Sequence, residues 1–226
     1  MPTIVVANSK GGCGKSTICL VLATTLRASG ANVALIDADP QQSVWRWGKA
    51  KRSRYADMVL LPSADEDLAD LTTRLRRDVQ FVIVDQQGGA DREAGEAMSR
   101  ADLVLIPMQA KTADAEVAVR ALQQVRAQEQ AARRTIPHSF VFIRTNALIA
   151  TREEKRLAAS IGANGLPLTK VRLNERTAFS AMFEAKVALD ELDPEWINGL
   201  EEARVNAGAF TAEVVAMLRN AEQKAA

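Results

Sequence analysis

The chain has 226 residues, of which 47% are hydrophobic and 25% charged, with a net charge of +1 at pH 7. Those values suit one folded domain with a sizeable core, and they exclude a disordered chain or one that holds nucleic acid through bulk charge. With only Cys13, Cys19 and His138 as soft ligands, with no basic leader ahead of an apolar stretch and with no run of ~18 apolar residues, a zinc site, a disulfide scaffold, a signal peptide and a membrane span are not expected, and a cytoplasmic protein with reduced thiols is.

Taken in chain order, short β-branched runs at 4–7, 33–36, 81–84, 103–106 and 140–143 are almost wholly apolar, and 58–61 is a weaker run of the same kind. Strands buried on both faces of a parallel sheet have that character. Between them, residues 16–29, 41–53, 65–77, 90–100, 112–130 and 151–162 carry helical spacing, and 175–222 reads as helix with breaks near Asp193-Pro194 and Gly199. Strand alternating with helix predicts an α/β, doubly wound, mainly parallel sheet flanked by helices. No repeat or low-complexity linker interrupts it, so residues 1–226 form one domain, with 220–226 expected to fray. The aromatic residues other than Trp45 and Trp47, and Met108, read as core. Catalysis by His138 is not expected.

The first chemical signal is Ser9-Lys10-Gly11-Gly12-Cys13-Gly14-Lys15-Ser16-Thr17, between the first strand and the first helix. It has the form of a P-loop, except that Ser9 stands where the strict pattern has glycine. Glycines let backbone N–H groups turn toward phosphate oxygens, and the helix N-terminus adds a positive field. Lys15 is expected on the β- and γ-phosphates, Ser16 on Mg²⁺ and Thr17 on the α-phosphate. Cys13 reads as a small spacer and Cys19 as a buried helix residue. Phe81-Val82-Ile83-Val84-Asp85 is a Walker B pattern, an apolar strand ending in a carboxylate for Mg²⁺.

A lysine at both ends of the loop, in Lys10-Gly11-Gly12-Cys13-Gly14-Lys15-Ser16, is the deviant Walker A motif, and on it the chain resembles the ParA/MinD family of P-loop ATPases. The resemblance implies ATP and Mg²⁺ as cofactors. It implies that Lys10 reaches across a homodimer interface to the partner's nucleotide, so that ATP becomes part of the interface. Asp37-Ala38-Asp39-Pro40-Gln41 is similar to the family's D-x-D-P-Q segment, which implies that Asp39 orients the attacking water and that Asp37 and Asp39 support the Mg²⁺ shell. Gln86-Gln87-Gly88-Gly89 falls at the switch II place, where the sequence departs from many relatives. Arg144, Thr145 and Asn146 fall where relatives place adenine contacts, with no choice among the three.

Within the family, the start of the chain at its first strand and the segment around Trp45 and Trp47 are similar to short ParA-type partition ATPases. Residues 175–182 with 85–89 resemble the ParA-like ATPases of T-DNA transfer systems, so that several subfamilies fit. The segment Lys170-Val171-Arg172-Leu173-Asn174-Glu175-Arg176 resembles a nonspecific DNA-binding surface. Lys170, Arg172, Arg176 and Lys186 are its candidates, and Arg152, Lys155 and Arg156 extend it. Two such patches in an ATP-joined dimer would multiply phosphate contacts and switch DNA binding on. A ParB-like or cargo adaptor that stimulates slow hydrolysis, and nucleoid association of the ATP form, follow from the same resemblance. A MinD-like membrane switch and a metabolic ATP-dependent enzyme are the alternatives. The stripe Phe210, Val214, Met217 and Leu218 has few flanking cations, so docking on the sheet is expected and stable membrane association is not.

Overall fold

The computed structural model describes residues 1–63, 66–87 and 92–225. Its framework is one seven-stranded sheet in the order β3-β2-β4-β1-β5-β6-β7. The strands are β1 (Thr3–Val6), β2 (Val33–Ala38), β3 (Val59–Leu60), β4 (Phe81–Gln86), β5 (Leu103–Gln109), β6 (His138–Thr145) and β7 (Leu173–Asn174). Every neighbouring pair runs parallel. The helices are α1 (Lys15–Ala28), α2 (Ser43–Lys49), α3 (Leu68–Leu75), α4 (Arg92–Arg100), α5 (Thr112–Ala132), α6 (Arg152–Ala163), α7 (Thr177–Ala185) and α8 (Leu200–Ala225).

Alternation along the strands sends residues to two cores. Ile4 and Val6 of β1 join α1, α2, α7 and α8 on one face. Val5 and Ala7 join α3, α4, α5 and α6 on the other. The expected doubly wound sheet is therefore present. The α8 stripe docks as expected: Phe210, Val214 and Leu218 are buried in the first core, with Met217 packed at its edge. Trp47 is wholly buried there too, and its indole N–H donates to the Met182 and Val187 carbonyls at 3.1 and 3.3 Å, tying α2 to the end of α7.

Several boundaries differ from the sequence reading, each for a local reason. The helix expected over 41–53 is only α2, because Gln42 and Lys51 take left-handed backbone (φ 50° and 52°) on either side of it. The helix expected from 65 starts at Leu68, where the Asp67 carboxylate accepts the Asp70 N–H. β5 runs on through Pro107, beyond the apolar run at 103–106. Leu105 offers its carbonyl to the N–H of Ala7, just after β1, so by alternation Pro107 faces the same way, past the last residue of β1. No ladder bond there needs its missing N–H. The break after α7 begins at Lys186 (φ 62°) and ends at Gly199 (φ 70°). Within it Trp196 is 82% exposed, against the expectation of core; it sits on a turn in which its N–H donates to the Asp193 carbonyl. The strand β7 was not anticipated.

Candidate nucleotide-binding site

The loop between β1 and α1 opens at the carboxyl edge of the sheet, where the strands that flank β1 also end. Gly12 and Gly14 hold left-handed backbone, φ 70° and 86°. At Gly14 a second constraint applies, since a Cβ would stand 2.5 Å from Ile143 Cδ1. The left-handed φ is the demand that calls for glycine, since the Ile143 methyl lies at the end of a flexible side chain that can turn aside. A Cβ on Gly11 or Gly12 would meet nothing within 4 Å, so the mouth of the loop is open.

A cavity of about 220 Å³ lies over this loop, lined by Gly11, Gly12, Gly14, Lys15, Ser16, Thr17 and Asp39 among others. Cys13 is turned inward and 1% exposed, and burial raises its thiol pKa, which suits the spacer reading. Lys15 is 5% exposed, and its Nζ donates to the Lys10 carbonyl at 3.4 Å, back across the loop.

Three carboxylates approach from neighbouring strands. Asp37 and Asp85 are register partners on β2 and β4. The Asp37 carboxylate accepts the Asp39 N–H at 3.1 Å and the Trp45 N–H at 2.7 Å, so it fixes the turn that carries Asp39 and the start of α2. Burial nonetheless raises its pKa, against the pull of those two N–H groups. Asp39 is half-buried and accepts the Gln41 N–H at 2.9 Å. Asp85 is wholly buried, and neither carboxylate oxygen has a hydrogen-bond partner. Burial pushes its pKa up to about 7; the nearby Ser16 hydroxyl and Lys15 pull it down, while Asp37 and Asp39 add to the rise.

An unpartnered buried carboxylate beside a hydroxyl and a glycine loop is chemically incomplete, and a hard cation with oxygen ligands would complete it. Among the described residues no group of three or more His, Cys, Asp or Glu side chains is arranged to hold a metal by itself. An ion here would need phosphate and water oxygens for the rest of its shell, as Mg²⁺ does in phosphate sites.

A second cavity of about 340 Å³ continues from the first, sharing Gly14, Thr17, Arg144 and Phe183. Of the three residues expected at a base, Arg144 lines both cavities. Thr145 is buried and its hydroxyl donates to Asn174 Oδ1 at 2.9 Å. Asn146 accepts the Leu148 and Ile149 N–H groups at 2.8 and 3.0 Å within its own loop. Asn174, Phe179 and Phe183 line the second cavity; the sequence reading sets Asn174 in the basic segment 170–176 and the two phenylalanines in the core.

The four basic candidates are not brought together as one surface. Lys170 is exposed. Arg172 is ion-paired to the buried Glu154 at the start of α6, which sets it beside the exposed Arg152, Lys155 and Arg156. Arg176 lines the second cavity, and its buried Nε has no partner. Lys186 is half-buried at the end of α7. At the switch II place, Gln86 is buried with an unpartnered side-chain amide; Gly88 and Gly89 lie outside the described residues.

A parallel sheet with a Gly-Lys-Ser loop between its central strand and first helix, and a strand-end aspartate on the adjacent strand, defines a P-loop nucleotide-binding protein. The comparisons narrow the class. The family model described as the CobQ/CobB/MinD/ParA nucleotide-binding domain matches residues 4–189. The chain is 36% identical over 221 residues to Protein ParA of Rhizobium radiobacter, covering 98% of this chain and 99% of that relative. The chain therefore belongs to the CobQ/CobB/MinD/ParA family. Its fold is similar to that of an ATP complex of McdA from Cyanothece (TM-score 0.70, 19% identity, 95% and 96% of the two chains). It is similar also to cobyrinic acid a,c-diamide synthase of Mycobacterium smegmatis with bound ADP and magnesium (TM-score 0.60, 17% identity, 88% and 96% of the two chains). No described helix is long and apolar enough to cross a membrane.

Proposed function

We propose that this protein is a ParA-type ATPase. It binds Mg·ATP in the crevice over residues 10–17, pairs face to face with a second copy, binds DNA without sequence preference in that state, and lets go after hydrolysis. A DNA-bound or cargo-bound adaptor of the ParB kind accelerates the hydrolysis, and repeated cycles partition DNA or position a cargo. The full-length match to a relative named Protein ParA supports the class. The observation that carries the reading is the joint placement of the glycine loop, the buried Lys15 and the unpartnered Asp85, with a second lysine, Lys10, at the loop's start.

In this reading the Gly11, Gly12 and Gly14 backbone and Lys15 hold the β- and γ-phosphates, and Thr17 the α-phosphate. Mg²⁺, when bound, neutralises the phosphate oxygens on which charge gathers. Ser16 would ligate it directly, and Asp85 and Asp37 would accept hydrogen bonds from its waters. Asp39 orients the attacking water from the rim of the same cavity. Lys10 serves the partner's triphosphate, since two such anions brought face to face need a cation between them. Of Arg144, Thr145 and Asn146, Arg144 meets the base, because it alone of the three lines the cavity. DNA is held by Lys170 and Arg172 together with Arg152, Lys155 and Arg156.

The test is a gel shift with DNA of arbitrary sequence across a salt series. Retardation that requires ATP and weakens steeply with salt supports the reading. Equal retardation without nucleotide, or none with it, contradicts it.

A further inference from the structure

Lys10, the residue that a face-to-face dimer would need on its partner's triphosphate, is already engaged within its own chain. Its Nζ is ion-paired to the Asp114 carboxylate. The two ends differ in environment: the Lys10 side chain is 45% exposed and the Asp114 side chain 4%. Asp114 stands in the first turn of α5, and its other oxygen accepts the Gln109 N–H at 3.3 Å. The main chain of Lys10 is tied as well. Its N–H donates to Asn8 Oδ1 at 2.9 Å, and Asn8 in turn donates to the Pro107 carbonyl at 2.6 Å. Its carbonyl accepts the Lys15 ammonium at 3.4 Å.

We infer that Asp114 is a cis latch, holding Lys10 against its own chain in the nucleotide-free monomer so that the dimer forms only as this ion pair opens. The inference rests on the proposed reading of Lys10 and deepens it by naming what restrains that residue. One ammonium group cannot neutralise a desolvated carboxylate in its own chain and a triphosphate in another at once. Opening leaves Asp114 less compensated, and the N-terminal field of α5 and the Gln109 N–H keep that loss finite. Nucleotide feeds into the latch through Lys15. When Lys15 turns to phosphate it gives up the Lys10 carbonyl, and one of the ties that position Lys10 is released. Each dimer opens two latches, so the dimerisation constant carries the opening equilibrium squared.

Asp114→Asn keeps the shape and the acceptor for Gln109 while removing the charge. Two readouts separate the latch from the dimer. In the nucleotide-free protein, acylation of the Lys10 amine followed by mass spectrometry should speed up several-fold in the variant. With Mg²⁺ and a hydrolysis-resistant ATP analogue, the protein concentration at half-dimerisation should fall roughly tenfold, from about threefold per half-exposed ion pair taken twice. Thermal unfolding checks that the variant is folded, and Asp114→Ser, which retains a hydroxyl acceptor, replaces it if it is not. Unchanged Lys10 labelling overturns the latch. Faster labelling with an unchanged or higher dimerisation midpoint shows that the ion pair does not restrain assembly, and overturns the inference equally. A wild-type protein that never dimerises defeats the dimer reading itself, and the inference with it, while labelling still reports on the ion pair alone.

Discussion

Asp85 makes the nucleotide-free protein sensitive to pH in a direction opposite to that of most carboxylates. Its pKa is raised from 3.8 to about 7 by burial in the folded chain. Between those values the folded protein keeps a proton that the unfolded chain has lost, so stability falls as pH rises through the window. Three pH units at about 1.36 kcal/mol per unit give roughly 4 kcal/mol of lost stability above pH 7, relative to pH below 4. Asp85→Asn has no charge to bury and escapes this loss. In chelator and without nucleotide, urea unfolding of the variant should show a gain over wild type at pH 8, of up to about 4 kcal/mol, that shrinks as the pH falls and vanishes near pH 4. With Mg·ATP the order should reverse, since a cation beside the site favours the carboxylate. A gain that does not change with pH, or a variant less stable than wild type at pH 8, would refute the assignment of an uncompensated buried charge.

Gly14→Ala places a Cβ 2.5 Å from Ile143 Cδ1 at a backbone φ of 86°, which should lower stability by about 2 kcal/mol in urea unfolding and displace the loop enough to weaken nucleotide binding; the additional Ile143→Val change should recover only the part due to the clash. Lys15→Ala removes the one buried cation among the residues lining the loop cavity, and titration with a fluorescent ATP analogue should show affinity reduced about a hundredfold or more. Trp47→Ala opens a cavity in the core between α2 and α7, and the variant should lose about 3–5 kcal/mol by thermal unfolding with the sheet otherwise intact.

How much of this was legible in the chain varies with the range of the interactions. The β1–loop–α1 unit and the carboxylates at 37, 39 and 85 are contiguous motifs, each carried by a buried strand, and parallel strands announce themselves as unbroken apolar runs. Pro107 shows the opposite case: proline ordinarily stops a central strand, and it is tolerated only because β1 has already ended on the side it faces. The two-residue β7 has no periodicity to read, so Asn174 could not be placed at the second cavity. The basic segment 170–176 is continuous in sequence but divided in space. Lys170 faces solvent, Arg172 is drawn to Glu154 and Arg176 turns into the cavity. Asp114 reads in sequence as an ordinary acid in a first helical turn. Its bond to Lys10 spans 104 residues and depends on β1 and β5 being neighbours in the sheet. Trp196 misled because size and hydrophobicity alone argue for burial, whereas the turn that holds it leaves it 82% exposed.

The most direct test of the account is analytical ultracentrifugation of wild type and Lys10→Ala with Mg²⁺ and a saturating hydrolysis-resistant ATP analogue. Wild type is expected to form a dimer, and Lys10→Ala to remain a monomer that still holds nucleotide. A wild-type protein that stays monomeric at saturation, or a Lys10→Ala protein that dimerises as well as wild type, would contradict it.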